Sequence, residues 1–494
     1  MGGSSSNALG HPRCLPIDIA DVLRLQLADG VTLSCETCDF WCLTTRSQSV
    51  RFRMPVKDVT CAFTKCKDGT LSLLDLTLVS DTGDQTLSVL SQLERLWNNR
   101  CLVQILRLDG QVVSILRPTH MTPLIPKWIE ADIGLHLTEN LLIRRTSGTL
   151  VMELIDSGEQ IEVHDERLFQ LPFLLFRPVT CTSLANALKM PLSIISAFVA
   201  WLVTTGGASL HEADSPNPWS PGWRLADRLM HSRSRLGFHT DGYGATFPAT
   251  LNNSEPPPLV RPSHPGRRIE LAIPNSEQII AKDSSLESVL RVRRSIRAHD
   301  ERMCLSLEQL GIFLYRSLGS RNDENEDRCS RRPFPSAGGL YPLEAYLAIN
   351  CCDLLAPGLY HYEPMTHVLV HIRDRSPDLT HMLEGARRAM NTTTPIHCVI
   401  TLVARFARVN WKYDSIAYTL LLKEVGVIFQ TMYLVATAMD LAPCALGGGS
   451  SLAFANASGL DYWTESTVGE FALGLPLRST NASESTLYAQ QTLP

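Results

Sequence analysis

A chain of 494 residues with 44% apolar and 19% charged residues reads as ordinary globular protein with room for several domains, which excludes wholesale disorder. A net charge of −5 gives no bulk attraction to nucleic acid or to a membrane surface, and neither partner is expected. The N-terminus lacks the basic and apolar regions of a secretory signal, and no run of about 18 uncharged apolar residues predicts a spanning helix.

The chain opens Met-Gly, with Ser6 where a myristoylation signal has it, and the preferred reading is a flexible tail. Residues 1–120 read as a winged-helix-like domain. Short β-prone runs at 50–54, 59–63 and 71–78 precede a helix over 87–98, with Leu87, Leu90, Leu93 and Trp97 on one face. A hairpin follows, its strands at 102–108 and 112–116 flanking Asp109-Gly110. Cys35, Cys38, Cys61 and Cys66 have a spacing that could hold zinc through four thiolates. No tight Gly-containing knuckle is obvious, so the preferred reading is small buried hydrophobes and no metal. The 14 cysteines are scattered, and a chain this long has no need of disulfide staples, which points to a reducing cytoplasm.

Residues 121–215 read as a second winged-helix-like domain. Strands are expected at 141–145, 149–155 and 160–163. A Thr182-capped helix over 183–189 follows, then a break at Pro191 and a helix over 194–203 closed by Gly206-Gly207. Such helix-turn-helix patterns often bind DNA, but no Lys or Arg lies between Pro191 and Thr205. Two readings stay open: docking of an extended peptide on a strand edge, or a structural or dimerising role. Residues 216–284 form a Pro-rich connecting arm, expected to wrap a neighbouring domain. Pro216, Pro218, Pro221, Pro256, Pro257, Pro258, Pro262 and Pro265 exclude regular elements over much of it.

Residues 285–480 form the last domain, followed by a flexible tail at 481–494. Helices are predicted over 286–294 and 306–317, and strands over 344–350 and 399–403. A helix over 416–439 is apolar on nearly all sides. Lys423 and Glu424 interrupt it near one end, so it belongs in a core or subunit interface.

Three segments here suggest a site. Arg291-Val-Arg-Arg-Ser-Ile-Arg297 can grip a phosphate, because guanidinium forks and a serine hydroxyl suit its oxygens. Pro335-Ser-Ala-Gly-Gly-Leu-Tyr-Pro342 and Ala442-Pro-Cys-Ala-Leu-Gly-Gly-Gly449 carry small residues that let backbone approach a flat ring. Together with Gly358-Leu-Tyr-His-Tyr362, Trp411–Tyr418, Gln430–Tyr433 and Val468–Gly474, these motifs resemble the SagB/McbC-type azoline dehydrogenases of the FMN-dependent nitroreductase superfamily. The likeness is greatest to the oxidases of cyanobactin biosynthesis and covers about residues 285–478. It extends more loosely over 223–244, which contains His231-Ser-Arg-Ser-Arg235.

The resemblance implies an α+β fold, with a nitroreductase-like FMN-binding domain at the C-terminus preceded by the winged-helix-like domains. It implies FMN as cofactor and a homodimer. Arg293, Arg294 and Ser295 match phosphate and ribityl contacts, and Arg297 matches a contact to the phosphate or the pyrimidine edge. Ser336, Ala337 and Gly338 match a loop along the isoalloxazine, given across the dimer interface. Leu446, Gly447 and Gly448 match the segment facing flavin N5 and O4, and Arg478 matches a second phosphate ligand. Lys412 and Tyr413 match the catalytic pair. Within the long helix, the His and Asn common in the wider family are absent at Val425-Gly426-Val427 and Gln430-Thr431.

The implied reaction turns a thiazoline or oxazoline in a ribosomal peptide into an aromatic azole. A base removes the Cα proton, the Cβ hydride leaves for the flavin, and dioxygen is the terminal acceptor. A tyrosine titrates near ~10, so Tyr413 needs a neighbouring cation to act near neutrality. Lys412 offers that charge, or is the base itself if desolvation lowers its pKa. Sequence neighbours on a strand point to opposite faces, so a turn must bring both to one place. The alternatives are an NAD(P)H-dependent flavin reductase and a non-catalytic peptide-binding scaffold.

Overall fold

A computed structural model describes residues 17–37, 40–45, 49–53, 62, 64–69, 71–73, 75, 83–146, 148–210, 222–237, 239, 242–249, 255–320 and 331–477. The chain divides into two compact units, Met1–Thr246 and Phe247–Pro494.

The first unit is built on a seven-stranded antiparallel sheet. Its spatial order is Leu71–Ser72, Leu23–Leu27, Leu102–Leu108, Gln111–Arg117, Gln160–Val163, Thr149–Leu154 and Leu141–Thr146. Gln111–Arg117 pairs with Gln160–Val163, so the boundary expected at residue 120 falls inside one sheet. A single hydrophobic core lies over both halves. That pairing joins strands more than 40 residues apart, and no local periodicity announces it. Asp109 and Gly110 take φ of 50° and 79°, as a two-residue hairpin turn requires.

The two helices expected here are present as Cys181–Leu188 and Leu192–Thr205, the second closed by Gly206 at φ 79°. The cap of the first is Thr180, which accepts the Ser183 N–H at 3.1 Å, while Thr182 donates to Asp132. Leu192–Thr205 is buried on nearly every side, so it is a core helix. Its Trp201 indole donates to Gln104 at 2.7 Å, satisfying the one polar atom of a fully buried ring. Part of the Pro-rich arm belongs to this unit: helix Leu225–Arg233 fixes Ser232 to the Ile155 carbonyl and Arg233 to Glu153. Cys66 is buried and its thiol is pushed up to about 12 by desolvation. Cys38, Cys61 and the Cys35 side chain lie outside the described residues.

The second unit is a three-layer arrangement around a seven-stranded antiparallel sheet. The order is Arg268–Glu270, Val368–Asp374, Gly358–Glu363, Leu343–Ile349, Cys398–Arg405, Glu465–Gly474 and Ala442–Leu446. Alternation along Leu343–Ile349 sends Leu343, Ala345 and Leu347 to one face and Tyr346 and Ala348 to the other. The first face packs on helices Leu307–Leu318 and Ala417–Ala438, the second on Pro377–Ala389 and Ser451–Ser458. The long helix turns Leu421, Val425, Ile428 and Met432 into the core. It is long and apolar enough to cross a membrane by length and composition alone, and a third of its apolar window is buried in this unit. Leu422 and Val427 on its outer face are 40% and 39% exposed.

The rest of the Pro-rich arm is pinned to this sheet. Arg405 donates to the Pro258 and Leu259 carbonyls, and Arg408 to that of Pro257. Proline offers a carbonyl and no N–H, so guanidinium donors are suited to fixing such a run. Cys304 and Cys351 form a disulfide, contrary to the expectation of a chain without staples. It ties the segment before helix Leu307–Leu318 to the end of strand Leu343–Ile349, a proximity that the scattered spacing does not reveal.

Candidate active site

Two clusters of the sequence motifs form in the second unit. The first begins where helix Leu286–Val292, capped by Ser285, ends at Arg293. The chain then runs beside the edge strand Ala442–Leu446, and the Ile296 N–H donates to the Pro443 carbonyl at 2.9 Å. Ser295 Oγ lies 2.7 Å from the Tyr433 hydroxyl, which also accepts the Ala445 N–H at 2.8 Å. The Arg293 guanidinium stands over the Tyr433 ring at 5.2 Å, a cation–π contact. Arg294 and Arg297 are exposed, and among the described residues none of these three arginines has a carboxylate partner. Three uncompensated cations beside a serine hydroxyl fit an anion such as phosphate.

Leu446 is buried, and beyond it Gly447, Gly448 and Gly449 are exposed. A Cβ at Gly447 or Gly448 would meet nothing within 4 Å, so the backbone is open to a flat ligand. At Gly449 it would collide with the Glu470 carboxylate. Glu470 is buried, which pushes its carboxyl up. It lines a cavity of about 300 Å³ with Met382, Arg388, Leu446 and Gly448.

The second cluster holds Ser336, Ala337, Gly338, Lys412 and Tyr413. Ser336 Oγ donates to Glu424 Oε2 at 2.7 Å and accepts the Tyr341 N–H at 2.9 Å, which bridges the loop. Ala337 and Gly338 lie in the turn between, with Gly338 at φ +61°. Helix Phe406–Asn410 continues into a turn in which the Lys412 and Tyr413 N–H groups both donate to the Val409 carbonyl. That turn sends both side chains to Gly338. A Cβ there would lie 2.5 Å from Lys412 Nζ and 2.6 Å from the Tyr413 hydroxyl, so a larger residue would push these polar ends aside, on left-handed backbone that favours glycine. Lys412 Nζ is 3.5 Å from the Gly338 carbonyl and 5.8 Å from the Phe247 ring centre.

Glu424 is 5% exposed, its Oε1 is buried without a partner, and desolvation pushes its carboxyl up to about 7 against Ser336 and Arg332. The sequence marks it only as an interruption of an apolar helix. Tyr433 and Glu470 were equally silent as site residues, because their contacts come from tertiary packing. Arg478 lies outside the described residues.

Among the described residues, no hydrogen bond or ring contact joins the two clusters. They attach to the same long helix at Glu424 and Tyr433, nine residues and about 13 Å apart at the α-helical rise.

Residues 290–475 match the model of the Nitroreductase family. A putative nitroreductase of Methanocaldococcus jannaschii is 29% identical over 182 residues, which is 37% of this chain and 85% of the relative. The microcin B17-processing protein McbC of Escherichia coli is 29% identical over 123 residues, 22% of this chain and 42% of its own length. Among solved structures, the E. coli microcin synthetase McbBCD complex with truncated pro-MccB17 matches at 23% identity and a TM-score of 0.33. That match covers 46% of this chain and 79% of the other. A putative nitroreductase in complex with FMN from Desulfovibrio desulfuricans matches at 16% identity and a TM-score of 0.25, covering 43% and 99%. The nitroreductase-like fold occupies the C-terminal unit. The matched span runs from just before the arginine motif to the end of the last strand, so it includes both clusters.

Proposed function

We propose that the nitroreductase-family domain is an FMN-dependent oxidase that converts thiazolines or oxazolines of a ribosomal peptide, of the cyanobactin type, into azoles. The observation that carries this reading is the convergence of Lys412 Nζ and the Tyr413 hydroxyl on Gly338, in a domain similar to a microcin-processing protein.

The residues present fit FMN. Arg293, Arg294, Arg297 and Ser295 would hold the phosphate end, with Arg478 as a further ligand. The open backbone at Gly447 and Gly448, next to Leu446, would accept the ring edge. When bound, the flavin would supply a two-electron acceptor for the Cβ hydride, with dioxygen as the final oxidant. The chain's own part is proton chemistry and positioning. One member of the Lys412–Tyr413 pair takes the Cα proton, which the adjacent C=N and carbonyl make acidic. The other keeps the charge balanced as that proton arrives. Proton and hydride together remove two hydrogens from each ring.

A homodimer completes the site in this reading. Two copies of helix Ala417–Ala438 packed antiparallel about a two-fold axis would bring the Glu424 end of one to the Tyr433 end of the other. Exposed Leu422 and Val427 supply an apolar outer face for that contact. The Met1–Thr246 unit is proposed to engage the leader or core of the peptide, consistent with the microcin-processing relative.

Incubating the FMN-loaded protein with a heterocyclised peptide tests the reading: each ring should lose two hydrogens by mass spectrometry. The putative nitroreductase relative favours a second reading, reduction of the flavin by NAD(P)H. An unchanged peptide together with rapid NAD(P)H oxidation would select it.

A further inference from the structure

Glu424 is an acidic side chain on the core face of an apolar helix, 5% exposed, with one oxygen bonded and the other buried without a partner. Beyond Ser336, the Ala337 backbone amide and the Arg332 charge also act on this carboxyl. Its neighbours inward, Leu421, Val425 and Ile428, are aliphatic. A buried carboxyl with one oxygen unbonded costs stability.

Its bonded oxygen leads to the catalytic pair in three contacts. Glu424 Oε2 accepts from Ser336 Oγ at 2.7 Å, and the same Oγ accepts the Tyr341 N–H at 2.9 Å, so one hydroxyl closes the loop from 336 to 341. At the apex of that loop is Gly338, whose carbonyl faces Lys412 Nζ and whose Cα faces the Tyr413 hydroxyl. The apex has left-handed backbone at Gly338 and Gly339, φ 61° and 67°, a conformation that glycine adopts without strain. We propose that Glu424 is a positioning residue: through Ser336 it holds the Gly338 turn against Lys412 and Tyr413 and so fixes the direction of their polar ends. The proposal rests on the catalytic reading of that pair, but its test does not require the reaction.

The probe is an amine-acylating reagent applied to the full-length FMN-loaded protein at fixed pH. Labelling of Lys412 relative to the exposed Lys127 is then read by peptide mass spectrometry. Loss of one hydrogen bond is worth roughly fivefold to tenfold in such a ratio. Ser336→Ala and Glu424→Ala should therefore raise the Lys412 ratio by roughly that factor. Glu424→Gln, which keeps the volume and an oxygen acceptor for Ser336, should restore the wild-type ratio. An unchanged ratio in Ser336→Ala overturns the proposal. So does a Glu424→Gln ratio as high as that of Ser336→Ala, and this pair decides the matter if Glu424→Ala does not fold. Because labelling needs no peptide, a shifted ratio in a protein that never oxidises azolines would sink the proposed reaction and leave the positioning role standing.

Discussion

Replacing Glu424 by Gln should make the protein more stable at neutral pH and leave it nearly unchanged in mild acid. Burial lifts this carboxyl from 4.5 in the free side chain to about 7 in the fold. Between those values the native state holds a proton that the unfolded chain has released. Stability therefore falls as pH rises through this window, the reverse of the usual behaviour of a salt-bridged acid. At 1.36 kcal/mol per pKa unit, the shift corresponds to roughly 2–3 kcal/mol lost between pH 5 and pH 8. A glutamine cannot ionise and still accepts from Ser336, so the variant escapes that loss. Urea unfolding of wild type and Glu424→Gln, run in parallel between pH 5 and 8, isolates the effect, because every other titrating group cancels in the difference. The gap should widen with pH and level off above about 7. Two parallel curves, or a gap that narrows with rising pH, would refute the assignment of a buried carboxyl raised by desolvation.

Tyr413→Phe and Lys412→Ala should each abolish azoline oxidation while the protein stays yellow; loss of colour instead would make the pair structural. Arg293→Ala and Arg294→Ala should each weaken FMN retention on gel filtration, by about 1.5–3 kcal/mol for a charge-assisted phosphate contact. Unchanged retention in both would move the phosphate elsewhere. Gly338→Ala places a methyl against Lys412 Nζ and the Tyr413 hydroxyl on left-handed backbone. It should cost about 1–2 kcal/mol in unfolding but a much larger factor in turnover. A turnover loss no larger than the stability change predicts would argue against a working pair at that turn.

Much of the second unit was legible in the sequence. The helix over 416–439 and the strands over 344–350 and 399–403 stand out as largely apolar runs, and the structure has them as Ala417–Ala438, Leu343–Ile349 and Cys398–Arg405. The arginine and glycine motifs stood out because ordinary turns do not need four arginines or three glycines. What the sequence hid is relational. Thr180 and Thr182 look equally able to cap Cys181–Leu188, and only the backbone before the helix distinguishes them. Strand Arg268–Glu270 lies in a stretch dominated by prolines, and its pairing to Val368–Asp374 comes from residues 100 positions away. The same holds for the seven-stranded sheet of the first unit, which local patterning split at residue 120. Glu424 illustrates the limit at the site. Its position on the helix was visible, but its link to Gly338 runs through Ser336, 88 residues earlier.

The central claim is that electrons leave an azoline ring of a peptide for a flavin held by this domain. Its most direct measurement is anaerobic: a heterocyclised peptide is added to the FMN-loaded protein without NAD(P)H, and the flavin absorbance is followed. The account predicts bleaching in proportion to the rings converted to azoles, and recovery of the yellow colour on admitting air. A flavin that stays yellow with the peptide and bleaches only with NAD(P)H would contradict it.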